Sequence, residues 1–494
     1  MTSDEVCEVQ WSQLSQIIAE RMGLHFPPER WKDLQRGLAD AAHEFGFADA
    51  AACVNWLISA PPTKAQIEVL ASHLTIGETY FYRDKITLDA LAKNILPDLV
   101  RARRGHEHRL RIWSAACCSG EEPYSLAILL HRMLPDLADW RVTITATDIN
   151  PRFLQKAAAG KYGEWSFRNA PPWLKGRYFD RTADGYYSIL PEIGRMVTFA
   201  HLNLVEDVYP SLATDTNAMD VILCRNVMMY FTSSQMRKVL SNLHHGLVDG
   251  GWLVVSPSEA SHALYPLFIP VNFAGATLYK KSATPPHGEL AAVLAPAIAT
   301  PSPWTLPSSV LPEESVAPAN RSTPRETEVT AAAAVAVLYE QGRYAEAADA
   351  VVASFARCAP DRQQYSLLAR ALANQGKLGD ALGWCERWIE ADKINPASHY
   401  LRAVVLLEQG DSEQARVSLQ RALYLHPDFV LAHFALGNLA RSRGKIDESN
   451  KHFGNTLELL RAYRPHDLLP ESDGLTAGRL TETLTAITDI GTLR

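Results

Sequence analysis

The chain has 494 residues, of which 47% are hydrophobic and 21% charged, a balance typical of a globular protein of about three domains. Its formal net charge of -7 excludes a general nucleic-acid binder, because such a protein needs a basic face for the phosphates. The first residues are acidic, and no apolar run reaches about 18 residues. We therefore expect neither a signal peptide nor membrane insertion. Seven scattered cysteines without CxxC or His spacing predict a cytoplasmic protein without a metal site.

The chain opens with amphipathic stretches. Apolar residues at three- and four-residue spacing predict four helices, over residues 11–22, 28–44, 48–59 and 63–74. Proline pairs at Pro27-Pro28 and Pro61-Pro62 separate them. We therefore expect an N-terminal helical domain over residues 1–90.

Strands and helices alternate in the next part of the chain, which we expect to form a domain over residues 91–283. Six strands are predicted, over residues 110–114, 142–147, 197–201, 221–224, 252–256 and 276–280. That rhythm predicts an α/β domain with a mostly parallel sheet covered by helices. Residues 177–198 break the rhythm with two short alternating runs, which predict a small inserted β subdomain.

One segment of this domain carries most of the chemistry. Between Arg111 and Leu126 an apolar strand meets a turn of small residues and an acidic helix start, and a second strand ends on Asp148. This pattern predicts the first half of an open α/β nucleotide site, whose carboxylate accepts hydrogen bonds from two ribose hydroxyls. No GxGxxG or GxxxxGK[ST] motif is present, and Glu121 and Glu122 would repel a pyrophosphate. Acid at that position suits a cation such as S-adenosylmethionine, which carries a sulfonium and an ammonium group.

The last part of the chain divides into a linker and a repeat. Residues 284–325 carry nine prolines among Ala, Ser and Thr, which predicts a Pro/Ala-rich linker without a core. Glycine then recurs every 34 residues between amphipathic stretches, which is the tetratricopeptide period, at Gly342, Gly376, Gly410 and Gly444. We expect an all-α tetratricopeptide array over residues 326–465, and a tail over residues 466–494 that includes a capping helix over 473–490.

Five motifs follow one another in the first 282 residues: TIGETYFYRD (75–84), WSAACCSGEEPYS (113–125), ATDIN (146–150), Asn203-Leu204 and CRNVMMYF (224–231). Together they resemble the motifs of the CheR-type chemoreceptor methyltransferases, over residues 10–282 and in the family's order. The resemblance implies a helical domain, a Rossmann-like S-adenosylmethionine methyltransferase domain and an inserted β subdomain. The attached array resembles the WspC-like branch of that family, which serves surface-sensing receptor arrays and biofilm formation.

The resemblance also implies a set of cofactor contacts. In the family's Asn-Glu-Thr-x-Phe-Phe-Arg motif the Asn, Thr and Arg meet the cofactor; here Thr79 and Arg83 match, but Gly77 replaces the Asn and offers only its backbone. Glu121 is preferred over Glu122 as the acidic contact. The remaining implied contacts are Asp148 at the ribose, Asn203 and Leu204 at the adenine, and Arg225 and Asn226 at the end of the fourth strand.

Two residues are implied at the reaction centre. Arg83 is expected near the methionine moiety, and Tyr230 near the transferable methyl group. The implied nucleophile is a glutamate carboxylate of the receptor, which is ionised at neutral pH because its reference pKa is about 4.3, so no general base is needed. Alignment of the carboxylate with the methyl group is then most of the catalytic work, worth roughly 7 to 11 kcal/mol at best.

The implied partner is a methyl-accepting chemoreceptor, whose acidic methylation helices would face a basic helix of the N-terminal domain. The candidates for that helix are Arg21, Arg30, Lys32 and Arg36. A further protein partner is expected in the groove of the repeats, which would tune partner choice or output rather than chemistry. Two alternatives stay open: a small-molecule methyltransferase, and an adaptor in which the array works on a degenerate methyltransferase scaffold.

Overall fold

The structure is a computed structural model that describes residues 6–104, 108–206, 208–212, 214–261, 264–282, 334–355, 361–472, 474–478, 480–481 and 483–484. The predicted linker over residues 284–325 lies outside the described residues, and so does half of the predicted capping helix over 473–490, namely residues 473, 479, 482 and 485–490. Within the described ranges, none of the helices combines the length and the apolar character that a membrane crossing requires.

The four helices predicted at the start of the chain are present: α1 (Glu8–Met22), α2 (Trp31–Glu44), α3 (Ala50–Ser59) and α4 (Lys64–Leu74). Side chains at their starts explain the boundaries, because Asp49 and Thr63 accept hydrogen bonds from the first turns of α3 and α4. The apolar faces of the helices form one core that ends at Leu74. That core is a helical bundle distinct from the core of the sheet.

The chain between α4 and the sheet belongs to the sheet's core. It contains α5 (Lys85–Ala90), a short π-helical turn (Leu91–Ile95) and α6 (Leu96–Arg103). Phe81, Leu88 and Leu91 are buried against the same apolar cluster as the first strands. The segment over residues 75–103 therefore packs as part of the α/β domain, although its first motif faces the helical bundle.

Ten strands follow: β1 (Arg109–Ala115), β2 (Arg141–Asp148), β3 (Lys161–Tyr162), β4 (Phe179–Arg181), β5 (Tyr187–Ile189), β6 (Val197–His201), β7 (Met219–Cys224), β8 (Leu247–Val254), β9 (Phe268–Phe273) and β10 (Ala276–Lys281). Seven form one sheet in the order β6-β2-β1-β7-β8-β10-β9, in which the first five are parallel. Chain order reverses beside β1, so the strand ends there open a crevice for a ligand. The predicted parallel α/β sheet is confirmed.

Helices cover both faces of that sheet. They include α7 (Glu121–Met133), α8 (Pro151–Ala159) and α11 (Ser233–Gly246). Strands β3, β5 and β4 form a separate antiparallel sheet, together with α9 (Trp173–Tyr178) and α10 (Pro191–Gly194) around it. The β excursion is thus present, and it begins at Lys161, before the predicted position, because β3 is only two residues long and leaves no alternating pattern.

The repeats form a stack of antiparallel helices. After helical residues at 334–340 come α12 (Tyr344–Phe355), α13 (Arg362–Asn374), α14 (Leu378–Ala391), α15 (Pro396–Gln409), α16 (Ser412–Leu425), α17 (Val430–Ser442) and α18 (Ile446–Leu460). The four glycines at the 34-residue period lie in the turns between paired helices, with φ between 69° and 82°. Only glycine adopts that left-handed conformation without strain, which explains the period seen in the sequence.

Candidate functional site

A cavity of about 480 Å³ opens at the carboxyl ends of β1, β2 and β7. The sheet supplies its floor, and the loop between α1 and α2 supplies one wall with Leu24, His25, Phe26 and Arg30. The helical bundle therefore closes over the strand ends. Eight of the ten candidate residues line this cavity: Thr79, Arg83, Asp148, Asn203, Leu204, Arg225, Asn226 and Tyr230.

The turn after β1 brings backbone amides to Asp148, at the end of β2. Ala116 and Cys118 have φ of 61° and 50°, so the turn is tightly curled and presents backbone to the cavity. The Cys118 amide donates to Asp148 Oδ2 at 2.8 Å, and the Asn150 amide donates to Oδ1 at 2.8 Å. Burial raises the pKa of Asp148 to about 6, although these amides oppose the shift. A buried carboxylate that lines the cavity is well suited to accept hydrogen bonds from hydroxyl groups of a ligand.

The chain after β6 supplies the wall opposite the turn. Asn203 is buried, donates from Nδ2 to the Arg21 carbonyl at 2.8 Å and accepts from the Val205 amide at 3.3 Å. The carbonyl of Leu204 accepts a hydrogen bond from the Tyr209 hydroxyl at 2.7 Å. Helix α1 and the segment after β6 are thus hydrogen-bonded at the edge of the cavity, and Leu204 offers an apolar surface for a flat ring.

The end of β7 carries a buried guanidinium. Arg225 donates to Glu122 Oε2 at 2.9 Å, to the Arg83 carbonyl at 3.0 Å and to Asp84 Oδ2 at 3.3 Å. Next to it Asn226 has φ of 58°, and its amide donates to Glu259 at 2.7 Å. Arg225 thereby joins three separate chain segments around the cavity.

The two adjacent glutamates at the start of α7 make different contacts. Glu122 lines the cavity, accepts from Ser114 at 2.7 Å and pairs with Arg225. Glu121 is 1% exposed, does not line the cavity, and instead accepts hydrogen bonds from Ser119 and Ser166. Successive residues at a helix start point about 100° apart, and of the two acids Glu122 faces the cavity. The preference for Glu121 as the cofactor contact stays a prediction.

The motif before α5 also lies at the cavity, with one departure. Thr79 and Arg83 line it, and Arg83 donates from Nη1 to the Glu78 carbonyl and lies over the Tyr80 ring. Gly77 does not line it, because the ring of Phe153 lies directly beside its Cα, and Phe153 itself forms the wall there. An aromatic wall thus stands beside Gly77, whose backbone contact with the cofactor stays a prediction.

Tyr230 lies at the mouth, in a short 3-10 turn that covers residues 228–230. Its carbonyl accepts from the His25 amide at 2.7 Å, and the Arg30 guanidinium lies 5.9 Å from its ring centroid. Arg30 also lies over Phe26, at 5.1 Å. The sequence pattern missed Phe26, Phe153 and Glu259 because each is an ordinary core or loop residue outside the five motifs.

This arrangement defines an α/β protein with a ligand cavity at its switch point, lined by a buried carboxylate, curled backbone and an acid–guanidinium pair. The matching family model covers residues 77–271 and is described as CheR methyltransferase, SAM binding domain. A second model, tetratricopeptide repeat, matches residues 332–396 and 400–449. The cofactor is therefore S-adenosylmethionine, and the chemistry of the lining suits it, because the cavity offers a buried carboxylate at Asp148, an apolar wall at Leu204 and a second acid at Glu122.

Curated relatives support the same assignment. The chain is 35% identical over 216 residues to chemotaxis protein methyltransferase 2 of Vibrio cholerae. The matched region covers 44% of this chain and 73% of that protein. It is 37% identical to chemotaxis protein methyltransferase 1 of Pseudomonas aeruginosa, over 40% and 71% of the two chains. For the Borreliella burgdorferi chemotaxis protein methyltransferase the identity is 29%, over 52% and 89%. The chain belongs to the CheR family of chemotaxis methyltransferases and carries C-terminal tetratricopeptide repeats.

Proposed function

We propose that this protein methylates glutamate side chains on the cytoplasmic signalling domain of a chemoreceptor and thereby adjusts chemosensory output. The observation that carries the proposal is the composition of the cavity mouth. Arg83 and Tyr230 stand there, and among the described lining residues His25 is the only imidazole, exposed at the edge. A carboxylate nucleophile needs no base, so a site that only binds and orients is sufficient for it.

Bound S-adenosylmethionine supplies an activated methyl group, and the residues of this chain hold and align the acceptor. Arg83 carries a permanent positive charge at the mouth, which would attract an approaching carboxylate and hold one of its oxygens. The Tyr230 hydroxyl can donate to the other oxygen. Both assignments, and those of the cofactor contacts, are part of the proposal.

A protein substrate is favoured over a small molecule by the charges around the mouth. Arg30, Lys32 and Arg36 lie on and before α2; Arg30 and Arg36 share an ion pair with Asp33, at 3.5 and 3.8 Å, and the Lys32 and Arg36 side chains are exposed. Arg30 links that helix to Tyr230 through its stacking contact. An acidic receptor helix could therefore span from α2 to the mouth. Such a receptor domain implies a cytoplasmic location and would permit a role in surface sensing and biofilm formation.

The test is methyl transfer from tritiated S-adenosylmethionine to membranes that carry candidate receptors. Label that is released as methanol by mild base identifies carboxyl methyl esters, and a receptor with its methylation glutamates changed to alanine is the control. Base-stable label, or label only in small molecules, would overturn the proposal. Absence of cofactor binding in calorimetry would instead favour the adaptor alternative.

A further inference from the structure

The repeats are docked on the edge of the sheet opposite to the cofactor cavity. Glu408, in α15, reaches the start of β1, where its Oε2 lies 3.5 Å from Arg109 Nη1 and 3.9 Å from Arg111 Nη1. All three side chains are at most 6% exposed. Charges that are buried this deeply are tolerated only when they face each other, so the contact specifies one position of the array.

The turns of the repeats make the rest of this contact. A Cβ built on Gly342 would lie 2.2 Å from the His245 ring, one on Gly376 would lie 3.1 Å from Arg109, and one on Gly410 would lie 2.6 Å from Arg141. The equivalent position on Gly444 has nothing within 4 Å. Three successive turns of the array therefore abut the methyltransferase domain without room for side chains.

The array also contacts the segment that joins β6 to β7, which we call the connecting segment (residues 202–218). Leu212 packs against buried residues of the repeats and lines a small gap with Arg370, Tyr400 and Leu401. Near the end of the segment, Asn217 donates from Nδ2 to Glu408 Oε1 at 3.1 Å. This chain's own segment thus covers part of the surface of the repeats.

The other end of the connecting segment lies in the cofactor cavity, at Asn203 and Leu204. Hydrogen bonds close two consecutive turns of the segment: the Tyr209 hydroxyl donates to the Leu204 carbonyl at 2.7 Å, and the amide of Ser211 donates to Thr216 Oγ1 at 3.1 Å. The Thr216 amide returns a bond to the Ser211 carbonyl at 3.2 Å. Only Pro210 separates these two turns, so we expect a displacement at Leu212 or Asn217 to act on Leu204 through the described residues between them.

We propose that the repeat array is a positioning element for cofactor binding: through Leu212, Asn217 and Glu408 it holds the connecting segment in the conformation that places Asn203 and Leu204 against the cofactor. Two discrete arrangements follow, with the segment held or released, and the cofactor binds the held arrangement more tightly. A protein that takes the place of Leu212 on the repeats would favour release and lower the cofactor affinity by the same coupling.

The experiment compares Leu212→Ala and Asn217→Ala in the full-length protein, because neither substitution leaves a buried charge unpaired. S-adenosylmethionine is titrated by calorimetry, and the fitted stoichiometry reports the folded fraction. We expect the Kd and the KM for the cofactor to rise about 2- to 30-fold in each variant, at unchanged stoichiometry. The kcat at saturating cofactor should stay within about twofold, since Arg83 and Tyr230, the residues proposed to hold the acceptor, lie outside the segment.

Two controls separate positioning from stability. Leu212→Met keeps the apolar contact and should restore the wild-type Kd, whereas Glu458→Gln removes only the exposed pair with Arg461 and should change nothing. A wild-type Kd in both alanine variants overturns the proposal, whatever happens to Tm. A lower stoichiometry with an unchanged Kd overturns it too, because the contact would then serve folding alone. Since the readout is cofactor binding, the result does not depend on which acceptor is methylated.

Discussion

The ring of Phe153 lies where a side chain at residue 77 would begin. A Cβ built on Gly77 would be 2.7 Å from Phe153 Cζ and 2.9 Å from Cε1, closer than carbon atoms approach without a shift. The departure from the family's Asn at this position is therefore matched by a second feature of the chain. Phe153 fills the space and lines the cavity, so an aromatic wall stands where the family's Asn side chain would be.

Gly77→Asn is accordingly expected to impair the protein rather than to restore a contact. Overpacking against Phe153 should destabilise it by about 1 to 3 kcal/mol and weaken S-adenosylmethionine binding. The double variant Gly77→Asn/Phe153→Ala should bind more tightly than Gly77→Asn, and a double-mutant cycle in Kd measures that coupling. Tighter binding by Gly77→Asn alone would show that the ring moves aside freely.

Asp148→Ala should abolish tight cofactor binding and leave the domain folded. A carboxylate that accepts from two ribose hydroxyls makes charge-assisted bonds worth roughly 1.5 to 3 kcal/mol each, and they exist only with the ligand. Calorimetry gives the affinity, and near-ultraviolet circular dichroism gives the fold. Wild-type affinity in the folded variant would remove Asp148 from the ribose.

Cofactor binding should weaken in mild acid. The pKa of Asp148 is raised to about 6 by burial, and the hydroxyl donors require its ionised form. As the pH falls through 6 the carboxyl takes up a proton, so the Kd should rise up to about tenfold per pH unit below that value. Asp148→Asn should show a weaker affinity with little dependence on pH between 5 and 7.5. A wild-type profile that is flat over this range would contradict the ribose assignment.

Glu121 and Glu122 provide a matched pair of isosteric changes. Glu122→Gln removes the negative charge beside Arg225 at the cavity and should raise the Kd for the cofactor by about tenfold, because a charged hydrogen bond is worth about 1.5 to 3 kcal/mol. Glu121→Gln alters a buried pair of serine contacts and should lower Tm while the Kd stays close to wild type. The reverse pattern would return the cofactor contact to Glu121.

Cleavage in the predicted linker should not separate the two halves. Trypsin is expected to cut at Arg321 or Arg325, because a segment without a core opens readily. The fragments should still co-elute in gel filtration, since Glu408 and three repeat turns hold them together. If the isolated fragment over residues 1–283 is separated and fully active with wild-type cofactor affinity, the docked array is dispensable.

Much of the fold was readable from local patterns. The spacing of apolar residues, and the prolines and glycines between elements, predicted the helices of the first domain and the parallel strands. An amphipathic element shows this spacing because one of its faces is buried. The sequence pattern did not predict strand β9, because Pro270 lies within it and a proline argues against a strand. In this edge strand the missing N–H of proline costs no hydrogen bond. The inserted sheet was located late because β3 has two residues.

The site was less fully readable, for a geometric reason. Motifs at strand ends converge by topology, so Asp148, Asn203 and Arg225 could be grouped before any distance was known. Which of two adjacent acids faces the ligand depends on the rotation of α7, and Phe153 opposite Gly77 is a contact between distant segments. The docking of Glu408 on Arg109 spans about 300 residues of chain, and no local signal reports it.

The cavity and the repeat array lie at opposite ends of the parallel strands, which determines whether two partners can bind at the same time. The cavity opens at the carboxyl ends of the parallel strands, and the repeats dock where those strands begin, with β1 of seven residues between them. At about 3.3 Å per residue this places some 20 Å of sheet between the two faces. An acceptor helix at the mouth and a second protein on the outer side of the repeats would therefore not collide. The two binding faces proposed above are thus far enough apart to be occupied at the same time.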